Sequence, residues 1–269
     1  MSQKLNTMTI AGLILVSPAF AQFNFTDFSG AGSSLFLNSD AAIVGSVLRI
    51  APAERWKIGS AYYFQKQHLG LPGGWTTTFR FRLSNPGGVL NGGADGFAFV
   101  IQDDSSSAIG SGAGGFIGYG LIPRSLAVEF DTWLNSSYND PDDNHVAVHT
   151  NWSLLNYPDD TTLLGRATPG FILKDGNTHT ATITYDGNGQ LSISLDGIPT
   201  LSVTFDHSTY LSILDTSGFA WIGFTSATGD AWQDHDILEW SFTPVPEPAS
   251  CVALGAGLVG LMLRRRKIA

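Results

Sequence analysis

The sequence predicts an all-β fold, a single domain built as an antiparallel two-sheet jelly-roll sandwich, and three observations lead there. The first is composition. In 269 residues there are 31 Gly and 12 Pro, with 12% aromatic and 14% charged residues and no long amphipathic run, which favours short strands and tight turns over packed helices. Second, several stretches alternate apolar and polar residues as half-buried strands do: residues 76–83 (TTTFRFRL), 180–185 (TATITY), 191–195 (LSISL) and 201–205 (LSVTF). Third, residues 96–102 (GFAFVIQ), 126–131 (LAVEFD) and 220–224 (AWIGF) are apolar on both faces, which suits strands covered by a layer on each side.

In chain order, Lys4, the apolar run over residues 8–16 and the small residues Ala19 and Ala21 predict a signal peptide over residues 1–21, cleaved before Gln22. The sandwich domain follows over residues 22–243, with no repeat, low-complexity tract or linker inside it. Asp186-Gly187-Asn188-Gly189 and Asp196-Gly197 separate three of its alternating runs at hairpin spacing, which predicts an antiparallel meander. Residues 249–263 are continuously apolar and run straight into Arg264, Arg265, Arg266 and Lys267. That order predicts a short transmembrane helix with a cytoplasmic basic stop.

The lone cysteine, Cys251, falls in this tail, so the domain has no disulfide and must rely on its core, on bound metal, or on both. Formal net charge is -9, but residues 22–246 carry 9 Lys+Arg against 22 Asp+Glu. So acidic a domain repels nucleic acid and anionic headgroups, while its carboxylates suit divalent cations.

Those carboxylates concentrate where chemistry is expected. On a strand, Glu129 and Asp131 project from one face about 7 Å apart, close enough to share a pair of cations. Asn135 and the Trp133 carbonyl add neutral oxygens as the strand opens into a loop, Asp140 can return from that loop, and His145 brings an imidazole. Ligand chemistry sorts the set in two. Glu129, Asp131, Asp140 and His145 suit a transition metal such as Mn²⁺, whereas Asp131, Asn135, Asp140 and the Trp133 carbonyl suit Ca²⁺. A solvated acidic loop continuing through Asp142 and Asp143 is the competing reading.

This pattern, Glu-x-Asp-x-aromatic-x-Asn, then Asp-Pro, then His, is similar to the metal-binding strand and loop of the legume, or L-type, lectin family, over roughly residues 23–242. The resemblance implies the concanavalin A-like sandwich and a metal-dependent sugar site. Within it, Ala94-Asp95 matches a segment in which a cis peptide presents the Asp carboxylate to sugar hydroxyls, and Gly115 matches a glycine whose N–H faces the sugar. Asn135 would bind calcium and donate to the sugar, with Trp133 offering its ring to a pyranose. Asp230 and Ala231 lie in the loop that varies with sugar choice. His235 and Asp236 fit the family as structural residues.

Val245-Pro246-Glu247-Pro248, the apolar span and the basic end together resemble the PEP-CTERM sorting tail, here residues 244–269. That implies transient membrane anchoring, processing by an exosortase-type enzyme, and a glycan or exopolysaccharide partner at the cell surface or in the matrix. Oligomerisation is left open.

Two other functions compete. Laminarinase-type glycoside hydrolases use the same sandwich and a strand Glu-x-Asp followed two or three positions later by a second Glu. Here those positions are Trp133 and Leu134, so the acid/base is missing and no enzyme is expected. A non-binding structural matrix protein would have no use for Asp95, Gly115 and Asn135 together.

Overall fold

A computed structural model of the chain describes residues 22–245. The expected signal peptide and most of the expected sorting tail, including its transmembrane helix, lie outside the described residues. Among the described residues no helix is long and apolar enough to cross a membrane.

Two antiparallel sheets of eight strands stack face to face. One runs Ile198–Thr204, Gln190–Leu195, Thr178–Tyr185, Trp75–Gly88, Ala231–Pro244, Val47–Ala51, Ala42–Val44, with Phe23–Phe25 added against Ala231–Pro244. The other runs Leu163–Ala167, His145–Thr150, Ser125–Asp131, Gly96–Gln102, Phe219–Ala227, Ile58–Tyr63, Leu35–Ser39, with Gln67–His68 against Phe219–Ala227. The two-sheet sandwich is the expected fold. The expected meander forms too: Thr178–Tyr185 pairs with Gln190–Leu195, and that strand with Ile198–Thr204.

Between the sheets, alternate residues from both inner faces build an aromatic core. Phe97 and Phe130 stack at 4.6 Å, and Phe79 meets Phe224 edge-on at 5.0 Å. The doubly apolar strands have their explanation on the opposite face. The 22 residues between Gly96–Gln102 and Ser125–Asp131 fold back over the sheet and seal a second, smaller core of Ala98, Val100 and Ala127 under Ala108, Ile117, Tyr119 and Ile122. That covering loop also carries Gly115, so one device buries the strand face and builds the site.

His235 and Asp236 lie on a central strand. Asp236 is fully buried and binds Arg49 twice, at 2.8 and 3.0 Å, and Arg82 at 3.2 Å. Burial holds the His235 imidazole down at a pKa of about 3, hence neutral. Asp236 thus ties its strand to the two flanking ones, with His235 buried beside it.

Candidate functional site

Strand register assembles the acidic cluster. Ser125–Asp131 pairs with His145–Thr150 so that His145 stands opposite Asp131, while Glu129 is flanked by Ala147 on one side and Ala98 on the other. Two alanines leave room around the Glu129 carboxylate. Ligand atoms of Glu129, Asp131 and His145 all lie within 4.8 Å of one another, and all three residues are buried. The His145 Nε2 is 3.7 Å from Glu129 Oε1 and 3.9 Å from Asp140 Oδ1, so Asp140 does return from the loop to this cluster. Asp140 is held there by the Asn135 N–H, which donates to its Oδ2 at 2.6 Å.

The protonation chemistry is that of a cation site. Burial raises Glu129 and Asp131 well above ordinary carboxylates, and mutual repulsion among Glu129, Asp131 and Asp140 adds to it. Burial alone carries Asp95 up to about 7 and is the main cause taking Asp140 to about 6. Burial also lowers His145, leaving a neutral ring. Its Nδ1 faces the Asp142 carbonyl at 3.2 Å, so Nδ1–H donates there and the Nε2 lone pair turns to the carboxylates. Tyr119 donates its O–H to Glu129. Two further buried oxygens, Asp95 Oδ2 and Asn135 Oδ1, have no hydrogen-bond partner. Carboxylates gathered out of water, a neutral imidazole nitrogen and the unsatisfied Asn135 oxygen make a donor set that fits divalent cations.

Beside the cluster lies a cleft of about 380 Å³ lined by Asp95, Gly115, Trp133, Asn135, Asp230 and Ala231, together with Trp56, Val89, Ala94, Ala113, Gly114 and Gly229. All six residues expected to contact sugar are thus brought to one place. The Ala94–Asp95 peptide is cis, as the resemblance implies. The Asp95 carbonyl accepts from the Thr132 N–H at 2.9 Å, directly after metal-cluster residue Asp131. Asp131 Oδ1 in turn accepts from the Trp133 N–H at 2.7 Å. Gly115 sits against Asn135 so closely that a Cβ there would lie 2.6 Å from Asn135 Oδ1. Asp230 is exposed and pairs with Arg55 at 3.3 Å.

Asp142 stays beside the cluster, its Oδ1 3.6 Å from His145 Nδ1, whereas Asp143 is exposed. Asp142 accepts from the Thr168 hydroxyl at 2.7 Å, and Asp143 pairs with Lys174 at 3.0 Å. Sequence reasoning missed Lys174, whose ammonium also donates to the Thr132 carbonyl at 2.5 Å, and Gln233, whose amide donates to the Thr132 hydroxyl at 2.9 Å. Tyr119 and Trp56 were missed as well. The one usable signal was Trp56 itself, an aromatic set between Arg55 and Lys57 where no strand pattern asks for it.

Comparison with known proteins agrees with this fold. The legume lectin domain model matches residues 20–252, and the PEP-CTERM protein-sorting motif matches residues 244–267. Agglutinin-2 of Cladrastis kentukea is 27% identical over 244 residues, covering 82% of this chain and 79% of that protein. The 2-acetamido-2-deoxy-D-galactose-binding seed lectin 2 of Cytisus scoparius is also 27% identical, covering 82% and 94%. Among solved structures, the metal-free form of lectin I-B4 from Griffonia simplicifolia superposes with a TM-score of 0.65 at 26% identity, covering 83% of this chain and 98% of that one.

Proposed function

The chain belongs to the legume lectin domain family, and from that premise we propose that it is an exported, metal-dependent carbohydrate-binding protein. Its partner is a glycan or exopolysaccharide at the cell surface or in the surrounding matrix. The observation that carries this is the meeting, in one cleft, of Asp95, Gly115, Trp133 and Asn135 with the buried acidic cluster directly behind. Glu129, Asp131, Asp140 and His145 hold a transition metal such as Mn²⁺. Asp131, Asn135, Asp140 and the Trp133 carbonyl hold Ca²⁺. When bound, the cations neutralise the carboxylates and leave them ionised at neutral pH.

The sugar is met by the protein's own groups. Asp95 accepts from paired hydroxyls, the Gly115 N–H and the Asn135 amide donate, and the Trp133 ring covers the apolar face of a pyranose. Asp230 and Ala231 bound the cleft where sugars differ. The protein does not hydrolyse its ligand. Glu129 and Asp131 are 1% and 2% exposed and neither lines the cleft, so the carboxylates that resemble a hydrolase pair are sealed from any glycosidic bond.

Residues 1–21 direct export, and residues 244–269 tether the domain until an exosortase-type enzyme processes the tail, as the sorting motif supports. A glycan array probed with metal-loaded protein, repeated after chelation, tests the reading. Glycan binding that chelator abolishes is the expected result. Absence of binding to any glycan, or binding indifferent to chelator, overturns it.

A further inference from the structure

Four consecutive carbonyls organise the cleft. The Ala227 carbonyl accepts from the Asp95 N–H at 3.0 Å, that of Thr228 from Gly114 at 3.0 Å, that of Gly229 from Trp56 at 3.3 Å, and that of Asp230 from Val89 at 3.1 Å. Two of these four donors belong to segments already assigned to the sugar. The other two, Trp56 and Val89, line the same cleft and are fastened to the same stretch of backbone.

Trp56 is fixed with particular care. The Lys57 N–H donates to the Thr228 hydroxyl at 2.9 Å, that hydroxyl donates to the Glu54 carbonyl at 2.6 Å, and the Thr228 N–H donates to the Lys57 carbonyl at 2.9 Å. The Lys57 ammonium pairs with Asp40 at 3.3 Å and Glu54 at 3.1 Å. Trp56 itself takes the left-handed backbone, φ 57°, which a bulky residue adopts at a cost. All this holds a tryptophan 57% exposed, whereas the core tryptophans Trp75 and Trp240 are buried. A rigid, solvent-facing indole loses little conformational freedom on binding and offers both an apolar face and an N–H donor. The cations beside it are paired rather than free. Arg55 pairs with Asp230 and lies 5.9 Å from the Trp232 ring centroid, which suits a neutral ligand.

We propose that Trp56 is the platform for a second sugar ring, so that the site takes a neutral oligosaccharide whose terminal ring occupies the Asp95, Gly115, Trp133 and Asn135 subsite. The cleft, at about 380 Å³, has the size that encloses drug-sized ligands rather than a single hexose. This inference rests on the carbohydrate-binding reading and adds a specificity determinant to it.

The test compares the metal-loaded full chain with Trp56→Ala, Trp56→Phe and Trp133→Ala variants. The array holds mono- to tetrasaccharides ending in galactose, N-acetylgalactosamine, glucose or mannose. The native protein binds its best oligosaccharide more tightly than the matching monosaccharide. In Trp56→Ala the oligosaccharide weakens about tenfold, while the monosaccharide changes less than twofold; Trp56→Phe recovers most of the difference, and Trp133→Ala weakens both ligands. If Trp56→Ala weakens both ligands alike, Trp56 belongs to the first subsite or to the fold, and the proposal falls. Unchanged binding of both, or a native protein indifferent to chain length, overturns it equally while leaving the carbohydrate-binding reading intact. Failure of the native protein on every glycan refutes that reading, and the second subsite with it.

Discussion

Gly115→Ala isolates the contact on which the sugar subsite depends. An added Cβ would lie 2.6 Å from Asn135 Oδ1, 2.8 Å from Asn135 Cγ and 2.8 Å from Tyr138 Cε2. Carbon atoms pack best at about 3.5 Å or more, so the overlap with the Tyr138 ring alone is about 0.7 Å. Tyr138 is partly exposed and can swing outward. Asn135 has no such freedom at its backbone, because its N–H is bound to Asp140 at 2.6 Å and its carbonyl accepts from Tyr138 at 2.8 Å. Its side chain must therefore turn away, carrying Oδ1 from where calcium needs it and the amide N–H from where the sugar does. Bringing the side chain back to bind re-imposes overpacking that costs about 1–3 kcal/mol, so Kd should rise roughly five- to 150-fold. Calorimetry with saturating Ca²⁺ and Mn²⁺ measures it, using the tightest array glycan. The double variant Gly115→Ala, Asn135→Ala should bind no worse than Asn135→Ala alone, since both changes remove the same group. Binding by Gly115→Ala within threefold of native, or full additivity in the double variant, refutes the reasoning.

Three further outcomes follow from the same geometry. Chelation should lower the melting temperature by roughly 5–10 °C, since ligands at about a hundred times Kd stabilise by about 2.7 kcal/mol, and scanning calorimetry showing no change would count against any bound metal. Tyr119→Phe removes the O–H that orients Glu129 and should weaken Mn²⁺ affinity about 10- to 100-fold in a competition titration, with unchanged affinity contradicting that role. For His235, the folded pKa of about 3 lies below the unfolded value of 6.5, so the neutral ring's contribution is complete above pH 6.5 and is lost as pH falls toward 3. It should cost about 3 kcal/mol by pH 4. Chemical denaturation of the metal-loaded protein should show a His235→Gln variant with a shallower acid slope, and parallel slopes would exclude the mechanism.

What the sequence disclosed, it disclosed through periodicity. Thr178–Tyr185 alternates in burial along its whole length because its apolar residues were spaced for one buried face. Glu129 and Asp131 could be paired by inspection because residues two apart on a strand share a side. His145 could be named as the imidazole of the set, but its place opposite Asp131 depends on hairpin register, which spacing from Glu129 does not give. Asp142 and Asp143 supported only the competing reading. Their charges read as more of the same loop until the structure supplied Thr168 and Lys174 as their partners.

The residues that stayed hidden share one physical cause. Trp56 and Val89 are set in place by backbone N–H groups meeting the carbonyls of Gly229 and Asp230, and a backbone group carries no mark of its partner in the sequence. Asp95 and Gly114 are held in the same way, yet Asp95 could be named because its side chain also resembles a known ligand. The same bonds imply how metal and sugar are linked. The Thr132 N–H joins the end of the strand that carries Asp131 to the carbonyl of cleft residue Asp95, so a shift at Asp131 reaches the cleft through one hydrogen bond, and the Asp95 N–H carries it on to Ala227. A cation that fixes Asp131 therefore fixes Asp95 without touching it. Trp56 is tied at Gly229 rather than to that strand, so chelation should disturb the first subsite before it disturbs the second.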